Sequence, residues 1–412
     1  MGSYAETSAD TNQSLIVAKG SFVAMGGAER DLLRIIPSLT KFFDVKVATL
    51  NSVPELEKLC EKFNIPLFTP KNPWEMPRGI ISTILDTGIN SATRAWKSCE
   101  GLGLEIKSAD AIHIVSGDGS LGLLKYIPVN VPCHLHLLEP HRGLHEDVLH
   151  FDIQGKSKRN LKLTKLLLSY AKMKDKSIIK NFNNRNHSSI SSNSNYSSER
   201  AKLVYGIQTG VLWPCVDISE FPQEDTNDIV NPYDSDDDYV VAIGKASFVK
   251  GSWETISMIS GTKLSLVHVG GGNPEDIVKL QDHAKRLSVN FWVAPRLSSS
   301  ELVTLMRNSR AVISMAYGEA FGLTPIEAFA VGTPAIFVNE GGFRDTISDD
   351  LNGRLLERDD ISSWHEALKQ AKNVNNRERW MIAGREKILK LDLSPQEHAK
   401  RIKELFFNLR IQ

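Results

Sequence analysis

The feature that most constrains this chain is a repeated alternation. Short apolar runs rich in β-branched residues are each followed by a longer stretch of helical period. Strands buried on both faces of a parallel sheet read as continuous apolar runs, and the crossing back to the next strand is usually a helix. The first series places strands at Leu15–Ala18, Val45–Thr49, Ala111–Val115, His134–Leu138 and Leu203–Tyr205, with a glycine-containing loop leading from the first strand into a helix near Ala28. The series restarts at Tyr239–Ile243 and continues through Ser265–Val269, Val289–Val293, Ala311–Met315 and Ala335–Val338. Two such series predict an α/β chain of two Rossmann-like, doubly wound parallel-sheet domains. With 412 residues, 41% of them hydrophobic, there is material for two cores and no need of a disulfide or metal staple.

The boundary between the series falls in ISEFPQEDTNDIVNPYDSDDD, an acidic, Pro- and Asn-rich stretch read as a solvated loop. The expected division is 1–213 for the first domain, 214–238 for the linker and 239–393 for the second domain. A helix over 394–412, with Ser394 as cap and Pro395 in its first turn, is expected to return to the first domain. The polar run NFNNRNHSSISSNSNYSS, residues 181–198, reads as a loop with too little apolar surface to order itself.

Charge and cysteine usage narrow the function classes. A formal net charge of +0 gives no overall field toward nucleic acid or membrane. Cys60, Cys99, Cys133 and Cys215 show no zinc or CxxC spacing, so reduced thiols are expected. The polar start MGSYAETSADTNQS lacks the apolar core of a secretory signal, and no run of about 18 apolar residues occurs. A cytoplasmic location is expected. One segment could add contact with the inner face of a membrane: Gly155–Lys180 is lysine-rich, with Asp175 its only acid and Leu161, Leu163, Leu166, Leu167, Leu168 and Tyr170 as an apolar stripe. It reads either as an ordinary helix with a solvated lysine face or as a basic amphipathic helix on an anionic membrane.

The strongest chemical signal is GEAFGLTPIEAFAVGTPAIFV, Gly318–Val338, which follows one buried strand and precedes another. It therefore lies at the carboxyl edge of a parallel sheet, where ligands of open α/β folds bind. Thr324 reads as a helix cap, Pro325 as the first helical residue and Glu327 as the third member of a Thr-x-x-Glu capping box. That gives Glu327 a structural explanation beside a functional one. Glu319, among glycine and small residues at a strand end, has no packing role. Between the two, Ala320, Phe321, Gly322, Leu323 and Thr324 offer backbone amides at a helix start, a ready anion site. Lys245 and Lys250 flank another strand-to-helix turn, Gly244–Gly251; they are either solvated lysines or a pair that neutralises a diphosphate. Gly26 and Gly27 form a turn that backbone or ligand can approach closely.

These motifs, taken together, resemble the retaining GT-B glycosyltransferases of glycosyltransferase family 4. Glu319-x7-Glu327 is similar to that family's E-x7-E signature, GGAER at Gly26–Arg30 to its N-terminal turn and Ser192-Asn193-Ser194 to its Asn-Ser element. VLWPCVDISEF is similar to its inter-domain crossing, GKASFVKG at Gly244–Gly251 to its phosphate loop, and Gly341-Gly342 to its glycine pair. The resemblance implies two domains facing across a cleft and metal-independent transfer of a hexosyl group, with retention, from a nucleotide-diphosphate sugar to a saccharide or lipid-linked acceptor. No other cofactor is implied. Lys245 and Lys250 would meet the leaving diphosphate, Glu319 the sugar and Glu327 the ribose. Lys245 stands where an arginine is more usual, a point charge in place of a fork. In HLHLLEPHRG, His134–Gly143, the register of the family's histidine is open: Leu138 takes its place if Glu139-Pro140 aligns. His136, on the same strand face, is then either a catalytic candidate or a core histidine. Glu139, His141 and Arg142 are candidate acceptor contacts. The base is expected to meet the loop Val293–Ser300. Rival readings are a glycoside hydrolase, a nucleotide-sugar epimerase of GT-B architecture and a non-catalytic nucleotide-sugar-binding protein.

Overall fold

The computed structural model describes residues 13–77, 87–221 and 229–411. The N-terminal stretch read above as lacking a secretory signal lies outside them up to residue 12, as do seven positions of the linker, 222–228. The first sheet contains Gln13–Ser21 (β1), Phe43–Asn51 (β2), Leu67–Phe68 (β3), Ala111–Val115 (β4), Cys133–Leu138 (β5), Ser188–Ser192 (β6) and Gly210–Val211 (β7). Its order is β3-β2-β1-β4-β5-β6-β7. β1 runs parallel to both neighbours, Leu15 opposite Val45 on one side and Ala111 on the other. The second sheet contains Tyr239–Ile243 (β8), Ser265–Val269 (β9), Phe291–Val293 (β10), Val312–Ser314 (β11), Ala335–Val338 (β12) and Arg354–Leu356 (β13), in the order β10-β9-β8-β11-β12-β13. Both sheets are doubly wound: the strand order reverses beside the first strand, between β1 and β4 and between β8 and β11. β8 and β11 are apolar on both faces because helices cover both; Val240, Val241, Val312 and Ile313 are wholly buried.

By its contacts the chain divides into two compact units, Met1–Leu137 with Ser177–Ser191 and Pro395–Gln412, and Leu138–Lys176 with Ser192–Ser394. Residues 138–176 and 192–213, assigned to the first domain from sequence, thus fall in the second unit, although β7 within them pairs in the first sheet. The C-terminal helix Pro395–Ile411 belongs to the first unit, where it packs on the helix Gly27–Leu39. There Phe406 meets the Phe43 ring edge-on at 6.4 Å.

Three local expectations give way. Leu203–Tyr205 is not a strand but the end of the helix Asn195–Tyr205, which Ser194 caps by accepting from Ser197 N–H and which Gly206 closes with φ +69°. An apolar run this short carries no period of its own, and here Tyr205 is buried while Leu203 is 77% exposed. The polar stretch 181–198 is ordered: it holds the end of the helix Ser169–Asn183, all of β6 and the start of the next helix. Its serines enter the sheet with partners, Ser191 Oγ at 2.7 Å from His134 Nε2 and Ser192 Oγ at 3.0 Å from Thr209 Oγ1. A buried hydroxyl with a partner costs little, which a compositional argument overlooks. The lysine-rich segment is two helices, Leu161–Leu167 and Ser169–Asn183, meeting at Leu168.

Candidate active site

The second sheet supplies the site where its strand order reverses. β8 runs into the turn Gly244–Gly251, and the helix Ser252–Ile259 starts from Gly251, whose φ is +63°. A Cβ at Gly251 would stand 2.1 Å from the Met315 carbonyl oxygen, so only glycine lets this turn close on β11. Beyond β11, Tyr317 N–H donates to Val249 O at 2.8 Å and ties the two loops together. The result is a direct contact between the two sequence-predicted groups: Lys250 Nζ lies 2.6 Å from Glu319 Oε2. Lys245, at the start of the turn, is exposed.

The loop bearing Glu319 is held by its backbone. Gly342 N–H donates to Glu319 O at 2.7 Å, and a Cβ at Gly342 would come within 2.5 Å of Ala320 O and Phe321 Cα. Ser194 and Ser197 hydroxyls both donate to Ala320 O, the latter at 3.1 Å. The Asn-Ser element and the glycine pair, separate motifs in sequence, therefore converge on one loop. The helix that follows begins at Leu323, with Gly322 as cap at φ +83°. Thr324 and Pro325 sit inside the first turn, so the capping box read from Thr324 and Glu327 does not form. Pro325 is tolerated at the third helical position because N–H groups of the first turn have no intrahelical acceptor.

The same unit brings Glu139 and Arg142 to this loop. Arg142 Nη2 donates to Tyr317 O at 2.7 Å, and its Nε contacts Glu146 at 2.9 Å and Glu139 at 4.0 Å. Arg200 holds the other Glu146 oxygen at 3.0 Å. Leu138, the residue before Glu139, is in the left-handed region at φ +63°, a strained turn for a leucine at the end of β5. Burial pushes the Glu139 carboxyl up to about 7. The Arg142 and Lys250 cations oppose that rise, and the Glu319 and Glu146 carboxylates add to it. His141 caps the short helix Arg142–His145, accepting from Leu144 N–H at 3.2 Å, and His145 Nε2 lies 2.8 Å from Asp175. The proposed base loop leads from β10 to the helix Ser299–Asn308, capped by a reciprocal Ser298–Glu301 box.

In the first unit, the Gly26–Gly27 turn opens the helix Gly27–Leu39. Gly26 N–H donates to Glu29 Oε2 at 2.7 Å, and the other Glu29 oxygen lies 3.1 Å from Lys19 Nζ. Lys19 also donates to Ser116 O at 3.0 Å. This buried pair fixes the turn, and its one sequence signal was a lysine closing the apolar strand LIVAKG. His136 is 1% exposed and lies among the rings of His113, His134 and His398, with centroids 6.2–6.3 Å away. The geometry gives it the core position of the two read from sequence. In the second unit, sequence reasoning also missed a stack: Phe248 lies on Tyr317 at 4.6 Å, Arg358 covers Tyr317 at 3.5 Å, and Tyr317 Oη donates to Glu254 at 2.8 Å. Residues from three separate stretches, Phe248 and Glu254, Tyr317, and Arg358, leave no local pattern.

Comparison with known proteins follows the same division. Solved structures match nearly end to end: a glycosyltransferase from Rickettsia africae ESF-5 (TM-score 0.66, 15% identity, 97% of this chain and 99% of that one) and Anabaena HepE in complex with UDP and glucose (TM-score 0.66, 16% identity, 96% and 100%). Sucrose-phosphate synthase from Thermosynechococcus elongatus aligns with TM-score 0.70 at 16% identity over 97% of this chain and 99% of that one. At such identity the likeness speaks for the fold, which is the two-domain α/β architecture of GT-B glycosyltransferases. Residues 223–387, less than half of the chain, match the family model described as glycosyl transferases group 1. A D-inositol 3-phosphate glycosyltransferase of Mycobacterium bovis (strain BCG / Pasteur 1173P2) is 31% identical over 99 residues, which is 24% of this chain. The chain spans 20% of the length of the curated relatives it matches.

Proposed function

We propose that this chain is a retaining glycosyltransferase that moves a hexosyl group from a nucleotide-diphosphate sugar to a saccharide or lipid-linked acceptor. The observation that carries the reading is the Lys250–Glu319 contact at 2.6 Å, formed where β8 and β11 end at the switch point. Diphosphate chemistry needs cations and amides, and sugar hydroxyls need a carboxylate acceptor; this loop pair holds both kinds of group. Lys250 and Lys245 meet the diphosphate, with the amides of Ala320–Thr324 for its oxygens. Glu319 orients the sugar and Glu327 takes the ribose hydroxyls. Glu139 and Arg142, on the segment tied to Tyr317, serve the acceptor. In transfer, the acceptor hydroxyl oxygen replaces the phosphate oxygen on the anomeric carbon; the nucleoside diphosphate leaves with the electron pair of the broken bond and takes up the hydroxyl's proton. The lysines and amides stabilise that charge, so no metal is needed.

The test is a thermal-shift screen of nucleotide-diphosphate sugars, followed by transfer assays in excess chelator and NMR of the product's anomeric configuration. Stabilisation by one donor, chelator-resistant turnover and a retained anomer are expected. Lys250→Ala is expected to lower turnover about a hundredfold or more, and Glu319→Ala to keep nucleotide binding while losing transfer. Full transfer by Glu319→Ala removes that residue's role, and a screen without any stabilising nucleotide sugar overturns the reading.

A further inference from the structure

Away from the site, one ridge of the second unit differs from an ordinary solvated exterior. The helix Leu161–Leu167 and the first turns of Ser169–Asn183 carry three distinct faces. Thr164, Leu168, Ala171 and Asp175 are buried and seat the ridge on the unit. Leu163, Leu166, Leu167, Tyr170 and Met173 recur at helical spacing on the outer side, at 53, 69, 39, 49 and 62% exposure. Between these two faces lie Lys162, Lys172 and Lys176, with Lys165 paired to Asp147 at 2.7 Å, and Lys158 and Arg159 precede the first helix, exposed. The one acid of Gly155–Lys180, Asp175, is turned inward, accepting from Tyr205 Oη at 2.9 Å.

An amphipathic helix of a globular domain normally buries its apolar stripe. Here the buried face is a different one, and a second stripe of large apolar side chains is left in water. Single exposed apolar residues need no explanation, but a contiguous row bordered by an excess of cations marks a contact surface. Its chemistry matches an anionic bilayer: leucine and methionine enter the acyl boundary, Tyr170 sits at headgroup level, and the flanking lysines meet lipid phosphates. The overall net charge of +0 makes the local excess of cations here the decisive field.

We propose that the face formed by Leu163, Leu166, Leu167, Tyr170 and Met173, with its bordering lysines, docks the protein on an anionic lipid surface. The proposal is independent of the transfer reaction, and its test uses no nucleotide. The full chain is centrifuged with vesicles of phosphatidylcholine alone and with vesicles in which part of that lipid is replaced by phosphatidylglycerol. Pelleting with the anionic vesicles only, weakened by added salt, is expected. Leu166→Ser with Met173→Ser should abolish it while circular dichroism and Tm stay as in the wild type, because both side chains are exposed. Lys162→Gln and Lys176→Gln should each weaken partitioning about fivefold, which corresponds to about 1 kcal/mol per basic side chain at such a surface. A wild-type protein that stays in the supernatant overturns the proposal, as does binding indifferent to the stripe. A concentration-dependent dimer that the stripe substitutions disperse, without vesicle binding, assigns the face to a second copy and overturns it too.

Discussion

Glu139 shows how a single side chain reports on its surroundings. Its carboxyl is pushed by burial from 4.5 up to about 7. Between those values the native protein holds a proton that the unfolded chain has released. The stabilising effect of that proton is complete below 4.5 and is lost as pH rises through about 7. Replacing Glu139 by Gln removes the titration, so Tm measured between pH 5 and 8 should fall less steeply in the variant. Parallel Tm curves would refute the assigned environment. At this scale the sequence singled out Glu319 as a charged group among glycine and small residues at a strand end, Lys250 as one of two lysines flanking a glycine turn, and Glu139 and Arg142 through the family resemblance. It could not single out Lys19, Tyr317 or Arg358. Their roles come from partners that the fold alone brings close: Glu29 and Ser116 for Lys19, Phe248 for Tyr317, Tyr317 for Arg358.

Among the elements, the loop carrying Glu319 depends on a neighbour without a side chain. A Cβ at Gly342 would stand 2.5 Å from Ala320 O and Phe321 Cα, backbone atoms that cannot turn aside. Gly342→Ala should therefore displace the Glu319 loop and destabilise the second unit by about 1–3 kcal/mol, measured by urea unfolding. Any donor-induced thermal shift should shrink with it. A variant as stable as the wild type would mean that the loop yields. Strands such as β8 and β12 were legible because buried parallel strands are unbroken apolar runs. β6 was not, since only Ile190 in SSISS is apolar and Ser191 and Ser192 find their partners by tertiary contact. Leu203–Tyr205 failed for the complementary reason: three apolar residues fit the end of a helix as well as a strand. The Thr324–Glu327 box was a sound local pattern that Gly322, two residues earlier, pre-empted by capping the helix.

Taken whole, the molecule returns its C-terminus to its first sheet. Phe406, 1% exposed, lies edge-on to Phe43 and to His134, both at 6.4 Å, while its helix packs on Gly27–Leu39. Phe406→Ala should cost about 3–5 kcal/mol, the range for removing a buried ring. Calorimetry should show the loss in the transition of the first unit, with the second unit's transition unchanged. A uniform shift of both would show that the two cores unfold as one. The two-sheet plan was legible from the restart of the strand series at Tyr239. The placement of 138–176 and 192–213 in the second unit was not, because it rests on contacts such as Ser197 with Ala320 O and Arg142 with Tyr317 O, made across more than a hundred residues. The 2.6 Å pairing of Lys250 with Glu319 has one last consequence. A site that quenches its own charge is a poor trap for simple anions: inorganic phosphate can claim the ammonium only by stranding a carboxylate. The proposed donor brings hydroxyls along with its phosphates and would satisfy both halves, so the proposed function carries with it selectivity against the abundant free anion.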